Sequence, residues 1–398
     1  MKKAVIFLMA ILILSQLTAC GRGEDKPEDT GPEPVTLNVC ADLREAGGRT
    51  VSDLLLSTPG AGTDFTVLTE TIPVEGPDRE KALTRIRTEI LAGKGPDVFI
   101  CDTALMRWEG PTLFPFPRQV MENRVFLPLD SCLEEAEFIE WDKFQPKIME
   151  AGRNEEGQLL LPMGYEIRMF VSEKSPGGPE PGSPLDEGLN LYMPFYDVLG
   201  ELADYEKDTL ALTEEELFKE YSGQIAAYKS VDHTELPVQI AYVTDGGLRV
   251  MGESQPELLD LDKTEYLMMS GRNLSGGATA NITAFAGINR NTGHPEEAFR
   301  LVDFLLSKEN QASSAIYNNA LPVHTDLYSE DAPWHGHSMS KGNFAQLQGL
   351  LDSVNVVKFY TPLESLVYEG WNLDAGEDEL RELVHKACVK MNMYLAES

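Results

Sequence analysis

The chain has 398 residues and carries 33 Lys and Arg against 65 Asp and Glu, a formal charge of −32. With 42% hydrophobic and 8% aromatic residues it is not a disordered polymer. At roughly 100–200 residues per domain the length accommodates two or three compact units. So negative a field repels phosphate backbones and anionic lipid, which excludes nucleic acid and leaves no electrostatic route to a membrane. Five cysteines are too few for a disulfide scaffold.

Lys2 and Lys3 precede an apolar run from Ala4 to Leu14, too short to span a bilayer but suited to the hydrophobic region of a secretory signal. Leu17-Thr18-Ala19-Cys20 follows and resembles the lipobox of bacterial lipoproteins. That resemblance implies cleavage of residues 1–19 and a lipid on the Cys20 thiol, which would be the protein's only attachment to a membrane. Loss of Lys2 and Lys3 with the signal moves the charge from −32 to −34. Residues 20–34 read as a lipidated, extended tether: Gly21 to Pro34 holds three Gly, three Pro and five acids, with nothing to bury.

The folded body starts with a strand at Val35–Cys40, where Val35, Leu37 and Val39 alternate. Phe65–Leu68 is a second strand. A helix is expected over Asp78–Leu91, with Leu83, Ile86, Ile90 and Leu91 at helical spacing and Gly93 as its stop. A short buried strand, Val98–Cys101, comes next, so the order strand, strand, helix, strand predicts an α/β lobe with a partly parallel sheet. Cys40 and Cys101, at the ends of apolar strands, read better as small buried hydrophobes than as a disulfide, although a pairing among Cys40, Cys101, Cys132 and Cys388 stays open.

Apolar runs at Leu159–Met163 and Ile167–Val171 flank Gly164-Tyr165-Glu166. Ser172–Gly188 holds four prolines and four glycines, the strongest composition break in the body, and marks a lobe boundary. Thr213–Tyr228 opens as a helix with acids in its first turn. Val238–Val243 is a strand ending in an Asp245-Gly246-Gly247 turn. Ile282–Ile288 is another apolar run, Pro295–Glu309 is expected as one helix, and Asp378–Leu395 is the clearest amphipathic helix.

The usual hydrolase, zinc-protease and nucleotide-binding motifs are missing. His335-Gly336-His337 is better read as a solvated loop than as metal ligands. Among 65 acids, pairs such as Glu134-Glu135 arise without meaning. The residues therefore point to binding, with no cofactor and no metal.

Several segments together resemble extracellular solute-binding proteins of the maltose-binding type. They are Ala92-Gly93-Lys94-Gly95-Pro96-Asp97-Val98, then His294-Pro295-Glu296-Glu297-Ala298-Phe299 through Phe304-Leu305-Leu306-Ser307 to Asn310-Gln311, then Leu321-Pro322-Val323. They occur in family order. The resemblance implies an α/β, two-lobe periplasmic-binding-protein-like fold with hinge-crossing strands and a discontinuous domain arrangement. One lobe would comprise 35–165 plus 289–322 and the other 166–288 plus 323–398. Crossings are expected near Leu161–Phe170, Phe285–Asn289 and Leu321–Val323. It further implies a monomeric receptor of an ABC importer, lipid-anchored to the cell membrane on its outer side, that passes a small-molecule solute, foremost a sugar, to the permease transmembrane subunits. Two departures stand out: Gln239–Gly252 lacks the tryptophan that sugar-binding members carry there, and Ser172–Tyr192 is abbreviated.

Ligands of open α/β sheets sit beyond the carboxyl ends of the strands. That places Asp42, Arg44, Asp102 and Thr103 at a cleft, with Tyr165, Glu166 and Arg168 in the first hinge and Tyr242 at the end of a second-lobe strand. Trp108 and Trp334 are the aromatic platforms a sugar would stack on. The alternatives are a receptor for a peptide or polyamine, and a surface-anchored glycan hydrolase.

Overall fold

The computed structural model describes residues 35–43, 65–103, 111–173, 190–230, 239–244, 247–250, 260–312, 320–328 and 339–397. The signal, Cys20 and the tether, most of the Ser172–Gly188 break, the Asp245-Gly246 turn and the His335 loop lie outside them. The strands, in chain order, are β1 (Val35–Asp42), β2 (Phe65–Thr71), β3 (Val98–Asp102), β4 (Arg153–Asn154), β5 (Gly157–Gln158), β6 (Leu160–Ile167), β7 (Met169–Glu173), β8 (Ala203–Asp204), β9 (Thr209–Leu210), β10 (Gln239–Thr244), β11 (Gly247–Val250), β12 (Tyr266–Ser270), β13 (Ala278–Ile288), β14 (Leu321–Pro322) and β15 (Val354–Phe359).

Among the described residues, the main sheet runs β14-β6-β13-β3-β1-β2, with β15 also paired to β13. The expected strand, strand, helix, strand order forms its parallel half: β1 pairs in parallel with both β2 and β3. The connecting helix, Pro77–Leu91, is set by local chemistry. Gly76, at φ +85°, turns the chain in, Pro77 occupies the first position, Asp78 and Glu80 face the helix dipole, and Arg79, Leu83 and Ile86 turn inward. Gly93 and Gly95, at φ 71° and 105°, then reverse the chain into β3.

The segment Ala92–Val98 is a structural lock. Asp97 accepts the Asn38 amide at 2.8 Å and the Thr292 hydroxyl at 2.6 Å, while Asn289 donates to the Pro96 carbonyl at 2.9 Å. The helix beginning at Pro295 works similarly: its buried Asp303 accepts the amides of Glu137 and Ile139 at 2.8 and 2.7 Å. This helix ends earlier than expected. It spans Pro295–Leu305, and a separate turn, Lys308–Gln311, starts at Ser307, whose hydroxyl accepts the Asn310 amide. Serine prefers to cap a helix rather than continue one.

A second sheet, β11-β10-β7-β12, is antiparallel throughout. The chain passes between the sheets at one residue: β6 ends at Ile167 and β7 begins at Met169, leaving Arg168 between them. β13, the longest of the described strands, lies wholly within the main sheet. One edge pairs with β6 over most of its length, while the other pairs first with β15 and then, from Ala284, with β3. Register shifts at Ile282/Ala284 and Ala284/Phe285 mark the change. β14 adds a third segment beside Tyr165 and Gly164.

The buried hydrophobic residues form two clusters, and those of β6 and β13 belong to the first. The first holds Phe99, Phe114, Phe126 and Phe285; the second holds Phe195, Tyr221, Leu363, Val384 and Met391. The first is knit by edge-to-face rings, Phe99–Phe114 at 5.2 Å and Phe114–Phe126 at 5.3 Å between centroids. Cys40 and Cys388 are buried free thiols, Cys132 is a half-buried one, and Cys101 is buried on β3. Burial pushes the Cys388 thiol up to about 11, so it is a packing residue.

Backbone closeness makes one glycine indispensable. The Gly152 carbonyl accepts the amides of Leu159 and Leu160 at 2.9 and 3.0 Å, and a Cβ there would collide with the Leu160 carbonyl oxygen and sit 2.8 Å from its carbon. Gly152→Ala should lower the unfolding free energy by about 1–3 kcal/mol in urea titration, because a backbone group must move to admit it.

Candidate functional site

The crossing at Arg168 places ionisable side chains between the two clusters. Arg168 Nε lies 3.2 Å from Glu166 Oε1 and 3.7 Å from Asp197 Oδ2, so one guanidinium faces two carboxylates. The side chains are 21%, 16% and 5% exposed. Asp197 comes from the short helix Phe195–Leu199 and is tied to β13. Asn281 Nδ2 donates to its Oδ1 at 2.9 Å, and the Thr279 hydroxyl donates to its carbonyl at 2.7 Å.

Behind it lies a second ionic group. Lys358, fully buried on β15, donates to the Tyr196 and Gly200 carbonyls at 2.9 Å each and lies 3.2 Å from Glu364. Glu364 in turn accepts the Thr361 amide and hydroxyl, forming a capping box at the start of the helix Pro362–Val367. Arg118 joins from the first cluster's side, 3.6 Å from Glu201 and donating to the Val357 carbonyl at 3.0 Å.

Tyrosines surround this network. The Tyr196 ring stands edge-to-face with Tyr360 at 5.2 Å and Tyr368 at 5.7 Å, and carries the Arg168 guanidinium at 5.7 Å and the Lys358 ammonium at 5.4 Å. Tyr368 is 46% exposed, the aromatic group here that solvent reaches most easily.

Burial governs the electrostatics. It pushes the Glu166 carboxyl above its usual range despite the pull of Arg168, and does the same to Asp197 despite Lys358 and Arg168. Burial likewise raises Glu201, and lifts Tyr360 to about 12. Burial works against the charge of Arg168 too, but Glu166, Tyr196 and Asp197 outweigh it and raise its pKa. Planar carboxylate, amide and guanidinium groups beside an accessible aromatic face can hydrogen-bond hydroxyls and stack on a C–H surface.

Of the residues expected at a cleft, the structure brings Glu166 and Arg168 together as a pair. Asp102 and Thr103 lie at the end of β3 alongside Thr283 and Ala284 of β13, near the crossing. Asp102 is 7% exposed, and Thr103 is fully buried, its hydroxyl donating to the Ile282 carbonyl at 2.8 Å. Thr103 therefore ties strands together and does not face a cleft. Neither does Asp42: it is fully buried in a two-pronged pair with Arg79. Tyr165 is 1% exposed and belongs to the first cluster. Tyr242 sits on β10 opposite Arg249. Arg44, Trp108 and Trp334 lie outside the described residues.

The site also contains residues not anticipated from sequence: Tyr196, Asp197, Asn281, Lys358, Tyr360, Glu364 and Tyr368. Sequence signals the last three weakly, because Thr361-Pro362-Leu363-Glu364 spells a capping box with proline at the first helical position. Among the described residues no cluster of three or more His, Cys, Asp and Glu is placed to hold a metal ion.

With two sheets joined through β6 and β7 and a polar group at that passage, the chain has the two-lobe α/β fold of extracellular solute-binding proteins. Similar solved structures include an extracellular solute-binding protein family 1 member from Alicyclobacillus acidocaldarius (12% identity, 92% of this chain and 100% of that one, TM-score 0.55). Another is a cyclic alpha-maltosyl-1,6-maltose binding protein from Arthrobacter globiformis (11% identity, 91% and 100%, TM-score 0.52). A third is a periplasmic oligogalacturonide binding protein from Yersinia enterocolitica (14% identity, 91% and 99%, TM-score 0.52). No family model and no curated protein matches the sequence.

Proposed function

We propose that the protein is a carbohydrate-binding receptor of an ABC importer, held to the outer side of the cell membrane through a lipid on Cys20. It binds a sugar or oligosaccharide between its lobes and passes it, as a monomer, to the transmembrane permease. The observation that carries this reading is the Glu166–Arg168–Asp197 group at the passage between sheets, rimmed by Tyr368, in a fold shared with proteins that bind oligosaccharides. Strands that pass between lobes supply a hinge, and closure upon ligand is the functional step, without covalent chemistry. Both carboxylates of the site are turned onto one arginine, which occupies the space between them and favours a receptor over a glycan hydrolase.

Thermal denaturation of the full chain against a panel of sugars, peptides and polyamines tests this. One ligand class at a hundredfold excess over its Kd should add about 2.7 kcal/mol of stability and be recovered intact. Chemical turnover of a glycan would refute the receptor reading. Tyr368→Ala should weaken sugar binding about three- to tenfold by calorimetry while leaving the urea midpoint unchanged, since the ring is half exposed. Cys20→Ala should release the protein from the membrane fraction; retention there would refute the lipid anchor.

A further inference from the structure

Among the described residues β12 is the last strand of the second sheet, paired with β7 on one side only. Sheets usually cover or blunt such edges, because unpaired amides and carbonyls recruit other chains. Here the cover is half complete. Asn343, fully buried at the start of the helix Lys341–Ser353, accepts the Tyr266 amide at 2.8 Å and donates to the Leu261 and Thr264 carbonyls at 2.7 and 2.8 Å. The Tyr266 amide therefore points away from β7. In an antiparallel ladder in continuous register the outward groups recur at every second residue, so those of Met268 and Ser270 point the same way. Among the described residues none bonds to them on that side.

They open onto a groove of about 530 Å³. The helix lines it with Ala345, Gly349 and Ser353, spaced by four residues and so stacked along one face. Ala345 and Gly349 are exposed, and a Cβ on Gly349 would meet nothing within 4 Å. Small side chains leave width for one more strand, which lies about 4.8 Å from its neighbour.

Arg272 stands where β12 runs out. Asn190 fixes its backbone, accepting the Arg272 amide at 2.6 Å and donating to the Arg272 carbonyl at 2.7 Å. Its side chain is exposed, borders the groove and has no carboxylate partner among the described residues. No acidic side chain lines the groove, although the chain carries a charge of −32. At physiological ionic strength charges act over about 8 Å, so this guanidinium and not the net charge sets the local preference.

We propose that the open half of the β12 edge receives a short extended segment of a partner protein, added antiparallel to β12 with an acidic side chain at its N-terminal end beside Arg272. The amides and carbonyls of Met268 and Ser270 supply the main-chain pairing, and Arg272 supplies the choice of charge. A second copy of this chain fits poorly. Symmetric pairing of two β12 edges about Met268 would set each Ser270 against the other copy's Tyr266, where Asn343 already closes the edge. The inference stands apart from the receptor reading, because the groove recognises backbone and needs no solute.

The test is fluorescence anisotropy on the full chain in detergent, with two dye-labelled pentapeptides, acetyl-Asp-Val-Thr-Val-Thr and acetyl-Lys-Val-Thr-Val-Thr. The Asp peptide should bind about tenfold or more tighter than the Lys peptide, and Arg272→Glu should erase or reverse that preference. Gly349→Trp fills the groove from an open position, and Ser270→Pro deletes one outward amide. Each should weaken the Asp peptide about tenfold or more, with unchanged urea midpoints showing that both variants fold. N-methylation of the peptide amides in two alternate sets should abolish binding with one set and spare it with the other. Binding of neither peptide, equal binding of both, or undiminished binding to Gly349→Trp would overturn the inference. A dimer in sedimentation equilibrium that Ser270→Pro dissociates would assign the edge to a second copy and overturn it as well. None of these outcomes bears on solute binding, which the thermal panel reads separately.

Discussion

Replacing Arg79 with methionine should lower the unfolding free energy by about 3–5 kcal/mol. Arg79 is 2% exposed and Asp42 not at all. The guanidinium meets both carboxylate oxygens, Nη1 to Oδ1 at 2.8 Å and Nη2 to Oδ2 at 3.1 Å, and also donates to the Pro73 and Pro111 carbonyls at 3.0 Å each. Asp42 further accepts the Leu113 amide at 2.8 Å. Methionine matches the packing but leaves a carboxylate in a dry core and two carbonyls without a donor, and the stranded charge dominates the loss. Adding Asp42→Asn to Arg79→Met should therefore recover part of it. Urea titrations of the wild type, both single variants and the double variant measure this coupling. A loss below about 1 kcal/mol in Arg79→Met would show that the pair is not a structural keystone.

Asp42 also illustrates what sequence can and cannot show. Its place at the carboxyl end of a strand is legible from the Val35–Cys40 alternation, and strand ends are where such sheets bind ligands. Its use is not legible, because the partner that captures it lies on the following helix, across a segment with no local signal. Thr103 repeats the lesson: its hydroxyl is consumed by a carbonyl on β13, far away in sequence. Position follows from periodicity, whereas availability depends on long-range partners.

The elements that announce themselves have apolar inward faces. β1, the helix Pro77–Leu91, β3 and the helix Glu377–Glu397 all do so. The helix Lys341–Ser353 and strand β15 are obscured because polar residues occupy inward positions. Asn343 is fully buried yet satisfied, accepting the Tyr266 amide at 2.8 Å and donating to the Leu261 carbonyl at 2.7 Å. Lys358 likewise interrupts an apolar strand and finds its partners in a different segment. Two residues of the site are within reach of sequence, since Glu166 and Arg168 are charges set within an apolar stretch. Asp197 is not, because one acid among 65 carries no signal until Asn281 and Arg168 are seen around it.

Arg168→Met should both abolish ligand binding and tilt the dependence of stability on pH. Removing the guanidinium leaves Glu166 and Asp197 facing each other without their shared cation, which should cost about 2–4 kcal/mol at neutral pH, the figure reduced because Arg168 is partly exposed. Burial already raises both carboxyls above their ordinary values of 4.5 and 3.8, and Arg168 opposes that rise in each. A carboxyl whose folded pKa exceeds its unfolded one binds its proton more tightly in the folded chain. Its contribution to stability therefore falls as pH rises from the unfolded value through the folded one. Without Arg168 both folded values move higher and that window widens. The deficit of Arg168→Met should thus be greatest at pH 7 and shrink on acidification towards pH 5, as the two carboxyls become neutral and no longer need a cation. Urea titrations of wild type and variant across that range measure it. The neighbouring Lys358, Glu364, Tyr196 and Tyr368 are present in both proteins, so the difference between them isolates Arg168. A deficit that stays flat with pH would mean that Arg168 acts through packing on Tyr196 alone and that the two carboxylates do not depend on it for their charge.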